Sequence, residues 1–441
     1  MKFRDFRLLA TLCLGSALLA VAVPGFASIA SSHAQPSSST TSTPFTTPNT
    51  DTCPQKTRPP APIDESEVPA PGKPTPSALA VPATPIGGAR MGECGVVLPK
   101  GAPVAPEEIS ATSWMVSDLD TGEVLAAKDP HGRYRPASTI KVLLATVALR
   151  TLDLNKTVIG TQADADVDGT RVGIGPGGRY TNLQLMQALI MASGNDAAHA
   201  VAAQLGGDEA AVTKMNNLAK SLSALDTRAA TPSGLDGPGM STSAYDLSAL
   251  FREAMSIPLF AELIHTEQVD FPGFPKDPKN PDDTDHPGFP IGNDNQLLYN
   301  YDGALGGKTG FTDDARQTFV AAAQRGGRRL TVTLLQADVK PIRPWEQAAR
   351  LLDYGFALPS GARVGTLPSP ERIVPKDAPP LATPPPPPPS SDDAVTQAEP
   401  HGEAHRSTTK TLLLVGGVVL VLALLVGARR TSRPRRDRYR R

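Results

Sequence analysis

Pro136-Ala137-Ser138-Thr139-Ile140-Lys141-Val142-Leu143-Leu144-Ala145 opens a run with helical character that continues to Leu152. Residues three apart share one helix face, so the Ser138 hydroxyl and the Lys141 amine can meet there. A helix N-terminus also presents N–H groups and the positive end of its dipole to negative charge developing at the serine. A serine needs an adjacent base to become a nucleophile, and a lysine serves when desolvation or a second cation lowers its pKa. The same residues fit a helix cap followed by a solvated charge, but Val142 to Ala145 form an apolar setting unlike a solvated face.

Working outward, residues 114–118 and 123–127 flank Leu119-Asp120-Thr121-Gly122 and read as a β-hairpin. Beyond the quoted stretch, the periodicity predicts helices near 183–191, 196–205, 209–222 and 243–256. Two strands, 317–324 and 330–336, join across Gly326-Gly327, and 345–354 reads as a last amphipathic helix. Strands at both ends with helices between predict an α/β fold: one antiparallel sheet flanked by helices, with an inserted helical lobe. The Pro/Asp/Gly-rich stretch 271–292 is expected as a surface excursion. This folding unit spans 107–358.

The remainder of the 441 residues reads as export and tethering. Lys2, Arg4 and Arg7 precede an apolar run ending at Pro24-Gly25, the pattern of a signal peptide over 1–34. Residues 35–106 and 359–410 are Pro-rich, the second holding six consecutive prolines, and are expected as extended linkers. Residues 411–428 are uncharged and rich in Leu and Val, a transmembrane helix candidate. The Arg-rich tail 429–441 then lies in the cytoplasm by the positive-inside rule, with the catalytic unit outside a single-pass membrane anchor. In that oxidising setting Cys53 and Cys94 either pair or remain free thiols.

Composition removes other classes. With 43 Lys+Arg against 44 Asp+Glu, the chain has no global pull toward nucleic acid. Three Cys without a C-x-x-C pair and seven scattered His give little support for a metal centre, and no cofactor is expected.

Two more motifs follow Ser138 and Lys141. Ser193-Gly194-Asn195 falls between two predicted helices, either as an ordinary turn or as a proton-relaying hydroxyl beside a substrate-holding amide. Lys308-Thr309-Gly310 follows Gly306-Gly307 and precedes Phe311, where glycines in a strand let another backbone approach closely. Lys308 and Thr309 would offer an ammonium and a hydroxyl to a carboxylate.

In order and spacing, these are the Ser-x-x-Lys, Ser-x-Asn and Lys-Thr-Gly motifs of penicillin-binding proteins and class A β-lactamases. The chain resembles the serine-type D-alanyl-D-alanine carboxypeptidases, the low-molecular-mass penicillin-binding proteins, across 107–358. The likeness extends through Ser193-Gly194-Asn195-Asp196-Ala197-Ala198 and Thr231-Pro232-Ser233-Gly234-Leu235-Asp236-Gly237. It implies that Ser138 attacks the bond between two terminal D-alanines of a peptidoglycan stem peptide while Lys141 takes its proton. The N–H groups of Ser138 and Phe311 would bind the oxyanion, and Lys308 with Thr309 the terminal carboxylate. Ser193 with Lys308 would relay a proton to the leaving residue, Asn195 would orient the acyl chain, and β-lactams would inhibit.

Two positions depart from the family pattern: many relatives carry His where this chain has Phe311 and Ser233. A β-lactamase would need a Glu-activated water, and the stretch 229–239 holds no Glu. The same motifs would also suit an endopeptidase or transpeptidase on this scaffold, or could remain in an inactive wall-binding module.

Overall fold

In the computed structural model, which describes residues 45–370, side-chain alternation along the strands sets the layers. The sheet strands are β1 (Val96–Val97), β2 (Ser113–Asp118), β3 (Glu123–Lys128), β4 (Ala304–Thr312), β5 (Arg316–Arg325), β6 (Arg328–Ala337) and β7 (Gly365–Thr366). They pair antiparallel in the order β1-β3-β2-β6-β5-β4, and β7 adds to β3. Successive strand residues point to opposite faces. Trp114, Val116, Phe319 and Ala321 therefore enter one core, and Met115, Val320 and Ala322 enter the other.

The longer helices are α1 (Lys141–Thr151), α2 (Asn182–Met191), α3 (Asn195–Gln204), α4 (Asp208–Ser221), α5 (Ala244–Met255), α6 (Pro258–His265) and α7 (Pro344–Ala357). Helix α7 covers the first face of the sheet through Ala348, Leu351 and Leu352. On the other face lie α1 and α5, with α2, α3 and α4 packed beyond them as the inserted lobe. Helix α1 is buried around its first eight residues, as a helix apolar on all sides must be.

Three details differ from the sequence reading. The helical run begins as a 3-10 turn, Ala137–Ile140, and becomes α-helix only at Lys141. Helix α6 starts at Pro258, which by itself reads as a breaker; at the first helical position, however, proline's missing N–H has no partner to lose. The excursion 271–292 is closed at its base by pairing of Gln268–Phe271 with Phe289–Gly292, burying Phe271 and Ile291.

The larger correction concerns 35–106, expected as an extended linker. Its described part docks as a strap along the folded body. Buried Arg133 donates to the carbonyl oxygens of Thr57 (2.8 Å), Leu79 (2.6 Å) and Ala80 (2.9 Å). Lys128 donates to Pro48 O, His131 Nε2 lies 3.0 Å from Ile86 O, and Met91 enters the core. Cys53 and Cys94 form a disulfide, so of paired and free thiols the paired form holds. Composition shows only that such a segment cannot build its own core. Here the body supplies the core and buried cations satisfy the strap's carbonyls.

Residues 1–44 and 371–441 lie outside the described residues, so the signal peptide, most of the second linker, the 411–428 segment and the tail do too. Among the described residues no helix is long and apolar enough to cross a membrane.

The disulfide spans 41 residues of sequence, worth about 4 kcal/mol in the chain-entropy account. Limited proteolysis of Cys53→Ser should therefore cut within the strap at protease levels the oxidised wild type resists. Equal resistance would show that the strap's docking does not depend on the bond.

Candidate active site

Ser138 lies in the Ala137–Ile140 turn at the start of α1. Ala137 before it has φ 46°, a left-handed conformation that costs a non-glycine residue about 1–2 kcal/mol. The surroundings hold that turn in place. Thr318 Oγ1 on β5 and Thr139 Oγ1 donate to Pro136 O at 2.7 and 2.5 Å. Gly234 presses on the same turn, since a Cβ there would come within 2.0 Å of Ala137 O.

Lys141 Nζ lies 2.7 Å from each of Ser138 Oγ, Asn195 Oδ1 and Ser233 O. The amine is fully buried. Burial, then the charge of Lys308, hold its pKa well below the ordinary 10.5, against the opposing pull of Asp294 and Asp196. A neutral amine has two N–H groups and one lone pair. The oxygens of Asn195 and Ser233 can only accept, so they take the two hydrogens. The lone pair is left facing the Ser138 hydroxyl, which is the arrangement of a nucleophile and its base.

Lys308, on β4, is also fully buried. Its Nζ donates to Thr309 O at 2.9 Å and lies 3.6 Å from the Asp294 carboxylate. Burial lowers its pKa, with Asp294 working in the other direction. The Thr309 hydroxyl donates to Asp294 Oδ2 at 2.8 Å. Beside Thr309 opens a cavity of about 530 Å³ whose walls include Asp294, Gln317, Lys340 and Arg343.

Gly310 brings β4 against the nucleophile's turn. A Cβ at this position would sit 2.8 Å from Ser138 N and 2.4 Å from Thr318 Oγ1, so only glycine fits without displacement. Gly310, the residue before Phe311, therefore lies against the Ser138 backbone, while the Phe311 side chain is exposed.

Ser193, in the link between α2 and α3, is buried with φ 60°. Among the described residues no hydrogen bond joins its hydroxyl to Lys141 or Lys308. Asn195 opens α3, where its Nδ2 donates to Asp168 O at 2.7 Å, which turns Oδ1 toward Lys141. Both ends of this carboxamide are thus engaged within the protein, and its direct contact is with the base, where the resemblance implies contact with the acyl chain.

Three contributions escaped the sequence reading. Asp196 accepts from the N–H groups of Val172 (3.1 Å), Gly173 (2.8 Å) and Ile174 (3.0 Å), strapping that loop to the start of α3. Its position beside Asn195 was the only available signal. Asp294 comes from a separate loop with no local motif. Ser233 acts through its carbonyl oxygen, which no side-chain pattern reveals.

A fully buried lysine 2.7 Å from a serine hydroxyl at the start of a helix is the arrangement of a serine acyl-transferring enzyme. The model of the family described as D-alanyl-D-alanine carboxypeptidase matches residues 100–339, and the chain belongs to that family. It is 47% identical over 275 residues to the D-alanyl-D-alanine carboxypeptidase DacB2 of Mycobacterium tuberculosis, covering 62% of this chain and 90% of that protein. The DacD carboxypeptidase of Escherichia coli K12 is 33% identical over 285 residues, 59% of this chain and 69% of that one. Among solved structures, a D-alanyl-D-alanine carboxypeptidase from M. tuberculosis H37Rv aligns with a TM-score of 0.57 at 46% identity, over 62% of this chain and all of that one. The Streptomyces K15 DD-transpeptidase aligns at 0.53 with 27% identity, over 58% of this chain and all of that one.

With Lys141 as the proposed base, acylation needs the neutral amine, so the rate should rise with pH through the Lys141 pKa and form the acid limb of the profile. Because the Lys308 charge lowers that pKa, Lys308→Gln should raise it and shift the acid limb to higher pH. The limb is read from acylation by a fluorescent penicillin at a series of pH values. A shift to lower pH, or none, would remove Lys308 from the tuning of Lys141.

Proposed function

We propose that this chain releases the terminal D-alanine of peptidoglycan stem peptides through an acyl-enzyme on Ser138. The observation that carries the reading is the fully buried Lys141 Nζ at 2.7 Å from Ser138 Oγ, its two other contacts going to oxygens that can only accept. Ser138 Oγ attacks the carbonyl between the two D-alanines as its proton passes to Lys141 Nζ. The carbonyl oxygen becomes an oxyanion beside the N–H groups of Ser138 and Phe311, the kind of stabilisation worth most in acyl transfer. Collapse breaks the C–N bond, and the leaving amine takes a proton, with Ser193 and Lys308 as the relay. Water then attacks the ester and returns Ser138.

A carboxypeptidase must tell a free chain end from an internal peptide, and the difference at the leaving residue is a carboxylate. Lys308 is the buried cation beside the nucleophile for that task, and Lys340 and Arg343 add positive charge to the cavity beside Thr309. β-Lactams enter the same path and stall at the ester. Transfer to an amine in place of water is the second reading, favoured by the likeness to the Streptomyces K15 DD-transpeptidase. As for location, we take 1–34 as an export signal and 411–428 as a single anchor. The Arg-rich tail then faces the cytoplasm and the catalytic unit the wall.

Ser138→Ala should abolish both labelling by a fluorescent penicillin and D-alanine release from a pentapeptide; labelling that persists in a folded variant would overturn the mechanism. Lys308→Gln should lower activity on a free D-alanyl-D-alanine terminus by about ten- to a hundredfold, since a charge-assisted contact is worth about 1.5–3 kcal/mol. An amidated terminus should lose much less. Equal losses on the two substrates would leave Lys308 without a part in carboxylate recognition.

A further inference from the structure

The strap reaches the active site through five residues. Ile63 N donates to Asp314 Oδ1 at 2.7 Å, and Glu67 Oε1 accepts from Arg135 Nε at 2.5 Å. The two partners occupy matching places. Arg135 lies three residues before Ser138, on the segment that leads into the nucleophile's turn, and Asp314 lies three residues after Phe311, in the turn that joins β4 to β5. On the acyl-transfer reading, these are the two elements that supply the oxyanion-binding N–H groups, on Ser138 and Phe311.

We propose that Ile63–Glu67 is a staple that fixes the spacing of the two halves of the oxyanion hole, with Glu67 as a positioning residue for acylation. The proposal rests on the acyl-transfer reading above. Its residues lie ahead of the family match, which begins at residue 100.

Physical requirements favour such a device. An oxyanion hole works by preorganisation: both donors must already point at the place where charge develops, and small misplacements are costly. Its two donors here come from separate parts of the chain. Gly310, which has no side chain, is where β4 meets the Ser138 turn, so that contact alone provides little interlocking. The Glu67–Arg135 pair suits the task because its arginine is only 1% exposed, and a buried guanidinium holds its counter-ion firmly. Asp314 is similarly buried at 7% exposure. The strap is itself held on the body by the Arg133 contacts to Thr57, Leu79 and Ala80 and by the Cys53–Cys94 bond, so the staple has a fixed backing.

The test measures acylation of the full chain by a fluorescent penicillin together with kcat and KM for D-alanine release, and Tm for each variant. Glu67→Ala should acylate about tenfold more slowly, with KM within about twofold of wild type, because donor alignment matters mainly in the transition state. Glu67→Gln keeps an acceptor oxygen for Arg135 and should recover most of the rate. Asp314→Ala should resemble Glu67→Ala, and the double variant should be little worse than either single one, since a staple cut at one end is already open. An unchanged acylation rate in Glu67→Ala, a loss confined to KM, or additive losses in the double variant would each overturn the staple. So would a fall in Tm with no fall in acylation. A wild-type chain that does not acylate at all would overturn the acyl-transfer reading and the staple with it, whereas normal wild-type acylation with an unaffected Glu67→Ala overturns the staple alone.

Discussion

The proposed chemistry depends on one constraint, a lysine amine, Lys141, kept out of water beside a hydroxyl. A solvated lysine is charged at neutral pH and has no lone pair to offer. Burial removes the solvation that favours the ammonium, and the nearby Lys308 adds like-charge repulsion. Burial alone would leave the amine's N–H groups unsatisfied, at a cost comparable to the gain. The acceptors that remedy this, Asn195 Oδ1 and Ser233 O, come from the start of α3 and from the loop 231–237. Much of the lobe's arrangement serves that need, because Asn195 points its oxygen inward only while Asp168 O holds its nitrogen outward.

A second buried cation so close would be costly without compensation. Asp294 provides it, near Lys308 and hydrogen-bonded by Thr309. The carboxylate moderates the field without abolishing it, since it lies 3.6 Å from the ammonium and shares its oxygen with a hydroxyl. Lys308 can therefore repel charge at Lys141 while remaining a cation for an anionic substrate group.

The strap illustrates how a segment without a core of its own becomes ordered. It contributes Met91 and the short strand β1 to the body, while Arg133 binds its carbonyl groups. Most of the strap's hydrogen bonds to the body join residues far apart in the chain, and no helical or strand period announces them. The same physics brings Glu67 and Ile63 to the rim of the catalytic turn.

Sequence alone determined the elements whose patterns are periodic and the residues whose chemistry is local. The alternating strands at both ends of the unit, the helices between them and the apolar run after Lys141 were legible because burial imposes period 2 on a strand and period 3.6 on a helix. Ser138 and Lys141 could be paired because three residues of helical chain bring them together, and the motif order supplied the resemblance that joined them to Ser193, Asn195 and Lys308. Tertiary structure decided the rest. Ser233 enters through a backbone oxygen, Asp294 from a loop far along the chain, and Asn195 as a partner of the base. The strap docked where composition predicted a free linker, because composition reports what a segment can bury by itself and says nothing of the buried arginines waiting in another part of the fold.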